Sequence, residues 1–250
     1  MYLTQPCFTG QHTVLIDKYI DLEGVEKSYG KGTAQQQVLH NINLSVAQGE
    51  RVAVLGHSGC GKSTLLNVIS GIDTVDSGAV CINDTNLTLL SEKERTLFRR
   101  RNIGFVYQSF NLIPTLTALE NIQLPLQLND YAQTEIDSQA RALLHRVGLE
   151  ERADAYPDEL SGGEQQRIAI ARAMVHSPAL VLADEHTGNL DADTGRQMME
   201  LFNDIAKATG QTVLMVTHSM AVAKNADRVI RFNQGKLDTD DRFDESTLAW

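Results

Sequence analysis

The chain has 250 residues, 42% hydrophobic and 22% charged, which suits one globular domain with room for a smaller insertion and excludes disordered, collagen-like and disulfide-scaffold classes. A net charge of −10 argues against nucleic acid as a partner, because gripping a phosphate backbone needs a basic face that displaces counterions. Cys7, Cys60 and Cys81 are odd in number and not spaced as metal-ligand pairs, which predicts a reducing compartment.

Taken in chain order, residues 14–25 mix short apolar runs with charge and predict one or two edge strands. Residues 30–37, rich in glycine and glutamine, predict a surface loop. Residues 38–46 alternate as a half-buried strand with Val38, Ile42, Leu44 and Val46 inward. A β-branched apolar run at 51–55 leads into a glycine-rich turn and then a helical period over 62–70, closed by Gly71. Charge dominates 92–101. Helical patterns run through 116–149, broken at Pro125 and by a loop over 129–134, and mark the middle of the chain as a helical insertion. Beyond it, buried-strand runs at 179–183 and 212–216 alternate with amphipathic helices at 165–175 and 194–208. Such alternation predicts a mostly parallel sheet covered on its faces. The chain from 237 onward reads as a loose acidic tail. No run approaches the roughly eighteen apolar residues of a membrane span, and the amino terminus lacks a basic region leading into an apolar stretch, so a soluble, unexported chain is expected.

Gly56-His57-Ser58-Gly59-Cys60-Gly61-Lys62-Ser63 fits G-x-x-x-x-G-K-[ST] and lies between the strand at 51–55 and the helix at 62–70, the setting this pattern requires. Glycines let main-chain N–H groups turn inward around a polyphosphate, and the helix dipole adds positive potential. Lys62 brings a full charge to the β and γ phosphates. The Ser63 hydroxyl is suited to Mg²⁺, a hard cation that prefers oxygen, and Thr64 continues the loop into the helix. By itself the pattern identifies a nucleoside triphosphatase or a kinase.

Leu160-Ser161-Gly162-Gly163-Glu164-Gln165-Gln166-Arg167 is the most specific string in the chain and enters a helix. Ser161 and Glu164 have capping-box spacing, a structural reading that leaves the two glycines between them unexplained. Glycines cost a helix interior roughly 1 kcal/mol each, yet at a helix start they leave N–H groups bare and attractive to anions.

This string resembles the signature motif of ABC ATPases, and the resemblance extends motif by motif from Tyr29 to His218. It implies that Ser161, Gly162, Gly163 and Glu164 close on the γ phosphate of ATP held by another subunit's phosphate loop. That means a head-to-tail dimer, of identical copies or with a similar ATPase, with ATP and Mg²⁺ at the interface. It implies that Tyr29 stacks on adenine, although a tyrosine there more often simply packs. Gln108 in Phe105-Val106-Tyr107-Gln108 matches the glutamine that touches Mg²⁺ and the attacking water. The strand Ala179-Leu180-Val181-Leu182-Ala183-Asp184-Glu185 ends in two carboxylates, where ligands meet open α/β sheets. Asp184 would hold Mg²⁺ through water, and Glu185 would orient or deprotonate the nucleophilic water. Gly188-Asn189-Leu190-Asp191 resembles the loop that crosses to the partner, and His218 the switch histidine at the γ phosphate.

The fold so implied is α/β: a P-loop NTPase core with a mostly parallel sheet, an N-terminal antiparallel β subdomain and an inserted α-helical subdomain. The expected division is a core at about 14–90 and 160–236, a helical signature subdomain at about 91–159, and a tail over 237–250. Residues 104–121 are similar to the subgroup that serves lipoprotein release and macrolide efflux. This implies an integral membrane permease as partner, with residues 110–116 docking it or lying in the core, and a cytoplasmic location at the inner face of the cell membrane. One departure stands out: relatives carry proline after the catalytic glutamate, where this chain has His186, a group titrating near neutrality that is expected to make turnover more pH-sensitive. The alternatives are an ABC ATPase that regulates cell division without transport and a module that clamps ATP without turning it over. A P-loop nucleotide kinase is disfavoured by the string at 160–167.

Overall fold

The computed structural model describes residues 18–184 and 192–238, which form two compact units: 18–97 with 214–238, and 98–184 with 192–213. The chain lays down β1 (Lys18–Tyr29), β2 (Gln36–Ala47), β3 (Arg51–Leu55), α1 (Lys62–Ile69), β4 (Ser77–Ile82), β5 (Thr85–Asn86) and α2 (Glu92–Asn102). There follow β6 (Ile103–Val106), α3 (Ala118–Leu128), α4 (Gln133–Arg146), α5 (Gly162–Met174), β7 (Leu180–Asp184) and α6 (Ala192–Thr209). Last come β8 (Thr212–Thr217), α7 (Met220–Ala223), β9 (Arg228–Asn233) and β10 (Lys236–Leu237). The α/β class, the antiparallel amino-terminal sheet and the parallel strands are those expected from the sequence.

In the first unit β1 lies inside an antiparallel sheet of order β2-β1-β4-β5. Its Ile20, Leu22 and Val25 are fully buried. Asp21 is buried among them with its charge answered by Lys18 Nζ at 3.2 Å and by the Ser45 hydroxyl at 2.6 Å, as a buried carboxylate requires. The register slips between Val25↔Ile42 and Lys27↔Leu39, and Asn41 takes a left-handed φ of 49°. This irregularity resets the alternation of β2, so the inward set is Leu39, Ile42, Leu44 and Val46, and Val38 is only half-buried. A 3₁₀ turn at Gly32–Ala34 occupies the expected surface loop. β3 pairs parallel with β9, Val52↔Arg228 through Leu55↔Arg231, and β10 returns antiparallel on β9. Val52, Ala53, Val54 and Leu55 are all buried, as a strand covered on both faces should be.

In the second unit β6 pairs parallel with β7, Ile103↔Leu180 through Val106↔Ala183. α5 packs on β6, α3 and α4, and its Ile168, Ala169, Ile170 and Ala171 are completely buried. The close approach of α5 to β6 is permitted by Gly104: a Cβ there would collide with the Ala173 carbonyl. Pro125 does not break the helix as its sequence predicts but lies inside α3. A proline in a helix interior costs about 3 kcal/mol, and burying Ile122 and Leu126 completely returns roughly 1.5–3 kcal/mol each. The charged stretch at 92–101 is the helix α2, with Glu92 and Glu94 in its first turn and Arg99, Arg100 and Arg101 in its last, the polarity that suits the helix dipole. Among the described residues no helix is long and apolar enough to cross a membrane.

Candidate nucleotide-binding site

The phosphate loop leaves β3 and enters α1. Gly56 N–H donates to the Thr217 carbonyl at 3.1 Å, tying the first residue of the loop to the last residue of β8. A Cβ on Gly56 would strike the Phe232 carbonyl, so glycine is required there. Gly61 caps α1 with a φ of 109°, backbone that an L side chain resists. His57, Ser58 and Gly59 are exposed and Cys60 is half-buried, which leaves the outer surface of the loop open. Lys62 is 5% exposed, and its Nζ donates to the Gly56 and His57 carbonyls at 2.8 Å each. Ser63 is exposed and Thr64 half-buried on the first turn of α1, and exposed His218 follows Thr217 directly.

Tyr29, at the end of β1, is brought to the same helix. Its hydroxyl donates to Asp73 Oδ2 at 2.7 Å and also meets the Thr64 hydroxyl. Lys27 Nζ donates to Asp73 Oδ1 at 2.8 Å and lies 5.1 Å from the centre of the Tyr29 ring. The ring is thereby fixed in direction while remaining 41% exposed, free to stack. Burial, then the Asp73 carboxylate, push the Tyr29 phenol above its ordinary pKa. Burial pushes the Asp73 carboxyl up, but the hydrogen bonds from Lys27 and Tyr29 outweigh it and leave the group below the usual carboxylate value.

In the second unit the register of β6 and β7 sets Gln108, two residues past Val106, and Asp184, one past Ala183, at the same ends of neighbouring parallel strands. Gln108 is exposed and Asp184 half-buried. Ser161 caps α5: its hydroxyl accepts from Glu164 N–H at 3.3 Å, and Glu164 Oε2 accepts from Ser161 N–H at 2.8 Å. Arg152 Nε reaches the other carboxylate oxygen at 3.2 Å. The bonds from Ser161, with Arg152 beside them, hold the Glu164 carboxyl below the usual range. Glu164 is therefore engaged in the cap. Gly162 is exposed, with nothing within 4 Å of where its Cβ would lie. Glu185, His186 and Asp191 lie outside the described residues.

Residues 39–188 match the family model described as ABC transporter. Over 218 residues the chain is 49% identical to an ABC transporter ATP-binding protein of Mycobacterium tuberculosis (strain H37Rv), a match spanning 87% of this chain and 88% of that protein. The chain belongs to the ABC transporter family, as an ATP-binding cassette. A protein of the same description from Methanocaldococcus jannaschii is 44% identical to the cassette over 218 residues, 87% of this chain and 97% of that one. Among solved structures, the cassette superposes with a TM-score of 0.83 on a dimeric post-hydrolysis state of the ATP-binding cassette MJ0796 bound to ADP and Pi, at 40% identity over 89% of this chain and 98% of that one. A second dimeric structure of MJ0796 gives the same TM-score at 41% identity. The cassette is an ATPase of this family.

Sequence reasoning missed Lys27 and Asp73, which hold Tyr29, and Asn121 and Arg172, which hold the segment after Gln108. Asp73 is 44 residues from Tyr29 and Arg172 is 62 from Phe110, so no local spacing announces either pair.

Proposed function

We propose that the cassette powers a separate integral membrane permease: two copies, or one copy with a similar ATPase, close around ATP and Mg²⁺, hydrolyse the nucleotide and pass the movement to the membrane partner. The permease follows from membership in the ABC transporter family, and the observation that carries the closure around ATP is the start of α5. Ser161 and Glu164 satisfy each other, and open Gly162 leaves the first N–H groups of a 13-residue helix approachable by an anion. The phosphate loop attracts the same kind of ligand, so a head-to-tail pair surrounds one triphosphate with two cradles. That solved relatives at 40–41% identity are dimeric, one with ADP and Pi, supports it.

In this reading Tyr29 stacks on adenine, the main chain from Gly56 to Gly61 wraps the phosphates with His57, Ser58 and Cys60 along its outer side, and Lys62 turns its ammonium toward them. Ser63, Gln108 and Asp184 fit Mg²⁺ as oxygen donors, and the ion supplies charge that offsets the phosphate oxygens. Thr64 binds the nucleotide beside Ser63, and its hydroxyl also meets Tyr29. Glu185 orients the attacking water and accepts its proton, and His218 contacts the γ phosphate. Ser161, Gly162, Gly163, Glu164 and Asp191 come from the partner copy. The division into a core at about 14–90 and 160–236, a helical subdomain at about 91–159 and a tail belongs to the same proposal. So do membership in the lipoprotein-release and macrolide-efflux subgroup and a cytoplasmic location at the membrane through the permease.

The test is phosphate release together with molecular mass. Glu185→Gln is expected to lose activity by on the order of 10²–10⁴-fold and to run as a dimer with saturating Mg-ATP. A Glu185→Gln protein that stays monomeric under those conditions, even beside its permease, overturns the dimer mechanism.

A further inference from the structure

The segment after Gln108 turns through two successive non-glycine residues in left-handed backbone, Phe110 (φ 60°) and Asn111 (φ 49°). Its turns are tight: Phe110 N–H donates to the Tyr107 carbonyl at 3.2 Å and Asn111 N–H to that of Ser109 at 2.6 Å. Asparagine visits such backbone readily, but a bulky residue such as Phe110 keeps it only where surrounding groups hold it. Two side chains do so. Asn121 of α3, completely buried, accepts the Ile113 N–H at 2.9 Å and donates to the Ile113, Leu116 and Thr117 carbonyls at 3.2, 3.0 and 3.0 Å. Arg172, in the last turn of α5, donates Nη1 to the Asn111 carbonyl at 2.6 Å and Nη2 to the Phe110 carbonyl at 2.8 Å.

A planar fork holds two donors in fixed relation to two adjacent carbonyls, whereas an ammonium, which can also reach two carbonyls as Lys62 does, carries no such fixed plane. The base of the fork is itself fixed, because the next residue, Ala173, presses its carbonyl against Gly104 of β6, the strand that leads to Gln108. Both ends of the Gln108 segment are thus pinned to α5, one through main chain and one through Arg172. Burial lowers the guanidinium's pKa and the nearby Tyr107 opposes the shift, but arginine keeps its charge in proteins and the two hydrogen bonds are charge-assisted.

We propose that Arg172 is a positioning residue for ATP hydrolysis: by gripping the Phe110 and Asn111 carbonyls it fixes where the Gln108 amide stands, and it ties that amide to the helix whose other end is Ser161. The inference rests on the role proposed for Gln108. In the full chain, Arg172→Lys and Arg172→Met are expected to lower kcat on the order of tenfold to a hundredfold, as misplacement of a reacting group does, with KM for ATP changed less than about twofold. In a Gln108→Ala background, Arg172→Met should add no further loss, because it acts through Gln108. Hydrogen exchange should quicken in a peptide over residues 107–116 of Arg172→Lys and stay unchanged over the rest of α5.

Wild-type kcat in both Arg172 variants, an equal additional loss in the Gln108→Ala background, or unchanged exchange over 107–116 overturns the positioning role. Full activity in Gln108→Ala overturns the reading of Gln108 and the positioning role together. A loss in Gln108→Ala with wild-type kcat in the Arg172 variants overturns the positioning role alone. If Arg172→Met does not fold, Arg172→Lys carries the same comparison.

Discussion

Tyr29, proposed to stack on adenine, is held in place by charge. Asp73 accepts the phenol and the Lys27 ammonium at once, so the ring direction depends on a carboxylate that the reading from sequence never connected to it. Removing the phenol in Tyr29→Phe keeps the ring and leaves Asp73 still paired with Lys27. The lost hydrogen bond is worth about 1 kcal/mol, roughly a fivefold weakening of ATP binding. Asp73→Ala should weaken binding at least as much, because it frees the ring and leaves the buried Lys27 ammonium with the Thr74 carbonyl but without its carboxylate. In both variants KM for ATP is expected to rise with kcat nearly intact, as a residue confined to binding requires. Titration with a fluorescent nucleotide checks this, and unchanged affinity in Asp73→Ala would remove Asp73 from the base-binding group.

Where an element carries its own local pattern, the chain can be read directly. β3, the glycine turn and α1 announce themselves by a β-branched run, a phosphate-loop string and a helical period ended at Gly71, whose φ is 67°. β2 was legible in its second half, where Ile42, Leu44 and Val46 face inward as expected, but the irregularity at Asn41 puts Leu39 rather than Val38 in the core before it. Pro125 misled for the opposite reason: local propensity was clear, and burial of the α3 face overrode it. The connection from α5 to β7 holds a further feature invisible to pattern. His176 is buried there, and burial, partly opposed by the Ile103 main chain, pushes its pKa down to about 4. Between its ordinary value and about 4 the unfolded chain binds a proton that the folded chain does not. Stability conferred by the neutral ring is therefore present above the unfolded value and is lost as pH falls. Denaturant unfolding at pH 7 and pH 5 should show a loss from this group of about 2 kcal/mol. His176→Leu should flatten that acid slope, and an identical slope in the variant would show that other groups carry it.

At the scale of the whole molecule, charge and assembly pull against each other. Each copy carries a net charge of −10, and ATP brings more negative charge to the proposed junction. Long-range repulsion should therefore oppose closure at low ionic strength. Raising salt from about 10 to about 150 mM shortens the screening length from about 30 to about 8 Å. Dimerisation of Glu185→Gln with Mg-ATP, followed by sedimentation or light scattering, is expected to tighten across that range. Weakening instead would mean that attraction between local charges at the junction outweighs the global repulsion. The α/β class and the family could be read from the chain because strand ends and helix starts carry motif strings in a fixed order. The supports could not all be read, since Asp73 and Arg172 act on Tyr29 and Phe110 across 44 and 62 residues that only folding brings together.

Gly104 sets the thickness of one such support. With no side chain at that position and the carbonyl of Ala173 lying where one would begin, the gap between helix and strand is gauged by main chain against main chain. Any residue larger than glycine at that position would have to lever the helix off the strand, and with it the chain that runs on to Gln108.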